Sequence, residues 1–337
     1  EVRDRYGDER KTQLIKQGLT ALKDEDLIPQ EESMITFSAG GYIKRLPPDT
    51  FKSQKRGGKG LIGSDVADDD ILTHFFSADT HDNLLFFTDR GRVFQTKVYE
   101  IPAASRTSKG KAIHNFLEMP SEEKIRAIIP YGKEEKAQYL SLVTTGGTIK
   151  KTLLSDFAHI RRTGIIAITL SSGDALRSAK LTSGNDEILL STSGGQSIRF
   201  KEKDVRPMGR SAGGVRGISL KGKDTVAGFD IIRTDSSSSA RVLVVMENGF
   251  AKQTPIKEYK VQNRGGSGIR TANITPKTGP IVSTFILTDE EEIFALSVKG
   301  QVIRTDLSSV RSTGRSAQGV RIMNMNAGDK IADCTIL

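Results

Sequence analysis

The 337 residues include one cysteine, Cys334, and no tryptophan. A lone cysteine excludes an intrachain disulfide, so stability must come from a packed core, for which this length is ample. There is no basic-then-apolar leader and no run of about 18 apolar residues. The expectation is a soluble protein of a reducing compartment, with the cytoplasm as default. Helical periodicity is also lacking after residue 32, which excludes an α-solenoid. There is no P-loop, and His74, His81, His114 and His159 are scattered with no zinc-ligand spacing. The run Asp68, Asp69, Asp70 reads as a solvated turn rather than a cation site. Tyr6, Tyr42, Tyr99, Tyr131, Tyr139 and Tyr259 each fall in a connector, turn or strand context. Neither catalysis, nor a metal, nor a cofactor is therefore expected in this chain.

What is abundant is glycine, 33 residues, and it recurs in register. An apolar run, a glycine and a polar or basic segment repeat at Gly41, Gly91, Gly147, Gly195, Gly249 and Gly300. The glycine sits where a two-residue hairpin loop wants positive φ. The preceding runs at 84–88, 140–144, 242–246 and 293–297 are β-branched or aromatic and read as strands. A second glycine follows at Gly60, Gly110, Gly164, Gly214, Gly268 and Gly319, after 19 residues in five repeats and 17 in the third. A further strand start comes 11 to 15 residues later, at Ile71, Ile125, Leu176, Val226, Ile281 and Ile331. Four strands per unit and a period of 48 to 56 residues predict an all-β, six-bladed, propeller-like disc over 33–337. Its blades fall near 33–80, 81–137, 138–185, 186–239, 240–290 and 291–337. Residues 1–32 read as a connector, with a helical pattern from Arg10 to Lys23 ended by Pro29, and Ser236 to Ser239 as a loop tip.

Basic residues outnumber acidic ones by 50 to 41, and residues 1–32 hold 9 acids and 6 bases, leaving 44 bases against 32 acids in the remaining 305. Such an excess suits a polyanion, and the missing tryptophan and basic amphipathic helix argue against a membrane surface. Position says more than the total. Four residues before the second glycine stand Arg56, Arg106, Arg210, Arg264 and Arg315, with Arg161 and Arg162 in the short third repeat. After the hairpin glycine come Lys44 and Arg45, Arg92, Lys150 and Lys151, Arg199, Lys252, and Arg304, and Lys109 precedes Gly110. Equivalent points on a ring lie on a circle, so these cations are expected on a rim that a duplex can follow without base-specific contacts. Bending about 40 base pairs through roughly 180° costs on the order of 10 kcal/mol. Each neutralised phosphate returns roughly 1 kcal/mol at about 0.1 M salt, so two contacts per blade suffice.

One loop stands apart: Gln54, Lys55, Arg56, Gly57, Gly58, Lys59 and Gly60. Three cations among three glycines let backbone N–H groups and side chains both approach phosphate. Gly58, Gly60 and Gly63 spell a dinucleotide fingerprint, but a turn rather than a helix follows. The loop, with GGYIKRLPPDTF before it, resembles the glutamine-arginine-arginine-glycine-glycine-lysine-glycine box of the C-terminal domain of the DNA gyrase A subunit. Lys55 stands where the box has an arginine, which keeps the charge and loses the planar fork. The opening EVRDRYGDER is similar to the segment preceding that domain.

The resemblance covers essentially the whole chain. It implies a β-pinwheel that binds and wraps double-stranded DNA for ATP-dependent negative supercoiling. It also implies partners, the N-terminal cleavage core of the same polypeptide and the gyrase B subunit, in a holoenzyme that uses ATP and Mg. The domain itself is expected to be cofactor-free and monomeric in the bacterial cytoplasm. Two other readings are the equivalent domain of topoisomerase IV, whose box is usually degenerate, and a propeller that scaffolds proteins or binds a ligand in its channel.

Overall fold

Runs such as 84–87 and 242–246 lack the polar alternation of a half-exposed strand because both faces are buried. Leu84 and Phe86 pack with Ile35, Phe37 and Ile43, whereas Leu85 and Phe87 pack with Leu140 and Leu142. Val242 and Val244 likewise join Leu189, whereas Leu243 and Val245 join Ile293 and Ala295. Alternate side chains thus enter opposite interfaces, and each hydrophobic cluster lies between successive sheets. The computed structural model describes residue 5 and residues 27–47, 72–105, 108–132, 136–234, 239–299 and 301–336.

The strands form six antiparallel sheets, and each blade is described from its innermost strand to its outermost. Blade one comprises Leu72–Asp79, Glu32–Ser38, Tyr42–Leu46 and Lys111–Ala112. Blade two has Ile125–Tyr131, Asn83–Thr88, Arg92–Lys97 and Ile165–Ile166. Blade three has Leu176–Thr182, Tyr139–Thr144, Thr148–Leu153 and Val215–Arg216. Blade four has Val226–Ile232, Glu187–Thr192, Gln196–Lys201 and Ile269–Arg270. Blade five has Ile281–Leu287, Arg241–Met246, Phe250–Pro255 and Val320–Arg321. Blade six has, among the described residues, Ile331–Ile336, Glu292–Ser297 and Val302–Asp306. The inner strands touch in sequence, and Ile331–Ile336 meets Leu72–Asp79, which closes a six-bladed propeller-like ring. In every blade a register shift separates the inner strand from its neighbour, as between Phe37 and Ser38 or Val245 and Met246. This is a bulge that sharpens the local twist.

The predicted strand starts at Ile125, Leu176, Val226, Ile281 and Ile331 all open strands. The outermost strand departs from the expectation that a repeat builds its own blade. Lys111–Ala112 belongs to the second repeat by sequence but pairs with Tyr42 and Ile43 of blade one, and every later outer strand is donated backwards in the same way. The exchange covers the edge of the hairpins of blades one to five, whose N–H and C=O groups would otherwise stand unpaired. The expected helix at Arg10 to Lys23, the loop from Gln54 to Gly60, the acidic run at Asp68 to Asp70, the strand start at Ile71, Arg106, Gly300 and most of the 236–239 loop tip lie outside the described residues.

Candidate nucleic-acid interface

The donated strands form the outside of the ring, and in each the two residues face differently. In Val215–Arg216, Ile269–Arg270 and Val320–Arg321 the apolar residue is half-buried and the arginine exposed. Arg216, Arg270 and Arg321 therefore occupy equivalent outward positions on blades three, four and five. They were missed in the sequence, where the signal was their place two residues after Gly214, Gly268 and Gly319. Arg321 also lies 5.2 Å from the Phe250 ring centroid, a contact that steadies the guanidinium.

The loops leading to these strands carry the predicted arginines. Arg264 donates to the carbonyls of Asp204 (2.9 Å) and Arg216 (3.0 Å), and Arg315 donates to the carbonyl of Arg270 (3.0 Å). A loop arginine of one repeat thus braces the outer strand of the repeat before it. Arg210 is half-buried, Arg161 and Arg162 are exposed, and exposed Lys109 stands 4.1 Å from the Tyr42 ring centroid. Arg92 pairs with Glu123 at 2.9 Å and also donates to the carbonyl of Thr163. Arg304 is exposed and paired with Glu292 at 2.5 Å.

The cations after the hairpin glycine require correction. Lys44, Lys150, Lys151 and Lys252 were expected on the rim, but they are 3 %, 0 %, 3 % and 0 % exposed. Their stems enter the seam between the hairpin and the incoming loop, where loop carbonyls lacking strand partners need donors. The Lys44 ammonium donates to Ser108 O at 2.8 Å, that of Lys150 to Ala167 O at 2.6 Å and to Arg210 O, and that of Lys252 to Gly314 O at 2.9 Å and to Arg315 O. Burial lowers the Lys44 pKa. For Lys150 burial, reinforced by Arg210 and opposed by Asp156, lowers it to about 8. For Lys252 burial, opposed by Glu258 and reinforced by Arg315, likewise lowers it to about 8.

The next position latches the following repeat. Arg45 donates to Ile101 O at 3.3 Å, Lys151 to Glu202 O at 3.2 Å, Arg199 to Ile256 O at 3.1 Å and Tyr259 O at 3.0 Å, and the Gln253 amide to Leu307 O at 2.6 Å. All these acceptors lie in or beside the 3-10 turns Val98–Glu100, Glu202–Asp204, Ile256–Glu258 and Leu307–Ser309. Isolated parallel bridges join the same residues to Ala103, Pro207, Val261 and Ser312. Arg45, Lys151 and Arg199 therefore hold successive blades together.

The central channel is lined by inner-strand residues whose charges have internal partners. Lys180 pairs with Asp230 at 2.7 Å, and Arg177 donates to Ala227 O at 2.6 Å and Val282 O at 3.1 Å. Burial pushes the Asp333 carboxyl up, against the pull of Arg177 and Arg126.

Six antiparallel blades in a closed ring, with an exposed arginine on the outer strands of blades three, four and five, define a propeller-like fold with a basic arc on its rim. The chain belongs to the DNA gyrase C-terminal domain β-propeller family, whose repeat matches residues 32–79, 82–130, 138–183, 186–233, 242–288 and 291–337. It is 44 % identical over 333 residues to the DNA gyrase A subunit of Staphylococcus epidermidis, a match that covers 98 % of this chain and 37 % of that protein. It is 42 % identical over 326 residues to the Staphylococcus aureus protein, covering 96 % of this chain and 36 % of that one. The chain thus spans little more than a third of the length of these relatives. A solved DNA gyrase A C-terminal domain superposes with a TM-score of 0.74 at 25 % identity, covering 91 % of this chain and 99 % of that one. The C-terminal domain of DNA topoisomerase IV shares the fold, with a TM-score of 0.75 at 22 % identity over 92 % of this chain and 94 % of that one.

Proposed function

We propose that this chain is the DNA-wrapping C-terminal domain of a bacterial gyrase A subunit. It binds duplex DNA along its rim and presents a segment to the cleavage core for ATP-dependent negative supercoiling. The observation that carries the reading is the register of Arg216, Arg270 and Arg321, exposed at equivalent positions on the outermost strands of three successive blades. With the loop arginines beside them they form an arc of cations that matches a curved phosphate backbone and demands no particular base. The relatives at 42 % and 44 % identity are gyrase subunits, which favours gyrase over topoisomerase IV.

The domain acts without catalysis of its own. Cutting is left to the N-terminal core of the same polypeptide, and ATP hydrolysis, with Mg, to the gyrase B subunit, in an A2B2 assembly in the bacterial cytoplasm. The isolated domain is a monomer that needs no cofactor. Duplex binding measured against salt tests the rim. Affinity falls as about the eighth to tenth power of salt concentration, and Arg216→Ala, Arg270→Ala or Arg321→Ala each lowers that power by about one. A salt-independent affinity would overturn the reading.

A further inference from the structure

The third residue after the hairpin glycine runs Lys44, Phe94, Lys150, Ile198, Lys252, Ile303 around the ring. Lysine occupies the odd blades and an apolar residue the even ones. Phe94 and Ile198 are fully buried at this position, so the seam accepts an apolar side chain. An ammonium there loses its hydration, and an apolar side chain of similar volume is commonly neutral or better for stability. Packing therefore does not explain the lysines.

What distinguishes them is their acceptors. Lys150 donates to the carbonyl of Arg210, and Lys252 to the carbonyls of Gly314 and Arg315. Lys44 reaches the corresponding loop of its own blade at the carbonyls of Ser108, at 2.8 Å, and Ser105, at 3.5 Å. Apart from Ala167 in its own repeat, which accepts a second bond from Lys150 at 2.6 Å, these acceptors lie in loops of the following repeat that end in the outer strand of the lysine's own blade. From Arg315 a further bond runs to the carbonyl of Arg270, so one chain of bonds links the buried ammonium of Lys252 to an exposed rim residue.

We propose that Lys150 and Lys252 are positioning residues for the DNA-facing arginines, each fixing the backbone from which Arg210 or Arg315 projects. The proposal rests on the reading of the rim as a DNA surface. An arginine on a fixed backbone loses less conformational freedom when it meets a phosphate, which favours binding without any contact between lysine and DNA. Blades with an apolar residue hold their loops otherwise, through Arg92 to the carbonyl of Thr163 and through Arg264 to that of Asp204.

The test is a cycle in the whole chain, with a 40-base-pair duplex of arbitrary sequence as probe. The variants are Lys150→Ile with Lys252→Ile, Arg210→Ala with Arg315→Ala, and all four together, with melting temperatures alongside. The arginine pair should weaken binding on the order of tenfold. The lysine pair should weaken it several-fold, and the fourfold variant should bind no more weakly than the arginine pair. Multiplicative losses, or an unchanged affinity of the lysine pair, overturn the positioning role. An unchanged affinity of the arginine pair instead removes the reading of these two residues as DNA contacts. Should the lysine variants fail to fold, the affinity ratio of the natural chain to the arginine pair is followed from pH 7 to 9.5. Arg210 and Asp156 face Lys150, and Glu258 and Arg315 face Lys252. The ratio should shrink toward one as the lysines lose their protons above about pH 8, whereas a constant ratio overturns the proposal.

Discussion

A β-carbon placed on Gly268 would stand 2.2 Å from the carbonyl oxygen of Ser197, in the preceding repeat. The contact exists because the strand after Gly268 is donated to blade four, where Ile269 pairs with Ser197. Gly268 also has φ +71°, a region that side chains disfavour. Gly268→Ala should cost about 3 kcal/mol by denaturant unfolding, since strain adds to a backbone collision. Gly173→Ala, at φ +77° with nothing within 4 Å, should cost only about 1 kcal/mol. Equal losses would show that the collision is relieved by a small shift of the outer strand.

Lys151 lies 3.4 Å from the Glu202 carboxylate, and both side chains are buried, at 4 % and 0 % exposure. The other oxygen of Glu202 accepts from Gly184 N–H at 2.8 Å and Asp186 N–H at 3.2 Å. Lys151→Met leaves a buried carboxylate without its cation, which should cost about 3 kcal/mol of stability. DNA affinity at fixed salt, measured well below the melting temperature, should stay unchanged. A flattened salt dependence would return Lys151 to the rim.

The lowered pKa values of Lys150 and Lys252 give stability and binding opposite signs. Each falls from 10.5 to about 8 on folding, so between those values the unfolded chain binds more protons than the folded one. Stability contributed by these residues therefore rises with pH across that window, while the ammonium donors that hold Arg210 and Arg315 are lost. Relative to the Lys150→Ile, Lys252→Ile chain, the natural chain should gain melting temperature from pH 8 to 10 and lose its advantage in DNA affinity. Both quantities falling together would contradict the assignment.

How much of the molecule was legible in its sequence varied with the kind of signal. Gly147 and Gly195, with φ of +84° and +88°, sit in the hairpins that their spacing implied. The inner strands of blades two to six open at the apolar residues expected of them, because Ile125, Leu176, Val226, Ile281 and Ile331 each pack into a hydrophobic cluster between sheets. The backward donation of the outer strand was not legible, since two-residue strands such as Val215–Arg216 carry no periodicity. The buried lysines were misread because a cation after a hairpin looks like surface. Their alternation with Phe94, Ile198 and Ile303 was the available sign that the position faces inward. The rim arginines of the outer strands stood in register too, yet were passed over for the loop arginines before the same glycines.

The loop from Gln54 to Gly60 should separate binding from wrapping. Replacing Lys55, Arg56 and Lys59 by Ala should leave most duplex affinity, because the rim contacts of other blades remain. Holding a bent arc requires its end to be secured against elastic recoil, so wrapping should be lost. Gly58→Ala should do the same at unchanged melting temperature. A lowered melting temperature would instead assign the glycine to closure of the ring.

The most direct measurement is ligation of nicked plasmid at increasing ratios of this chain to DNA, followed by resolution of topoisomers. If the rim wraps duplex DNA, the mean linking number shifts steadily with bound protein, and the shift disappears in the Arg216→Ala, Arg270→Ala, Arg321→Ala variant. An unchanged linking number at saturating protein, with binding confirmed on the same plasmid, would contradict the account.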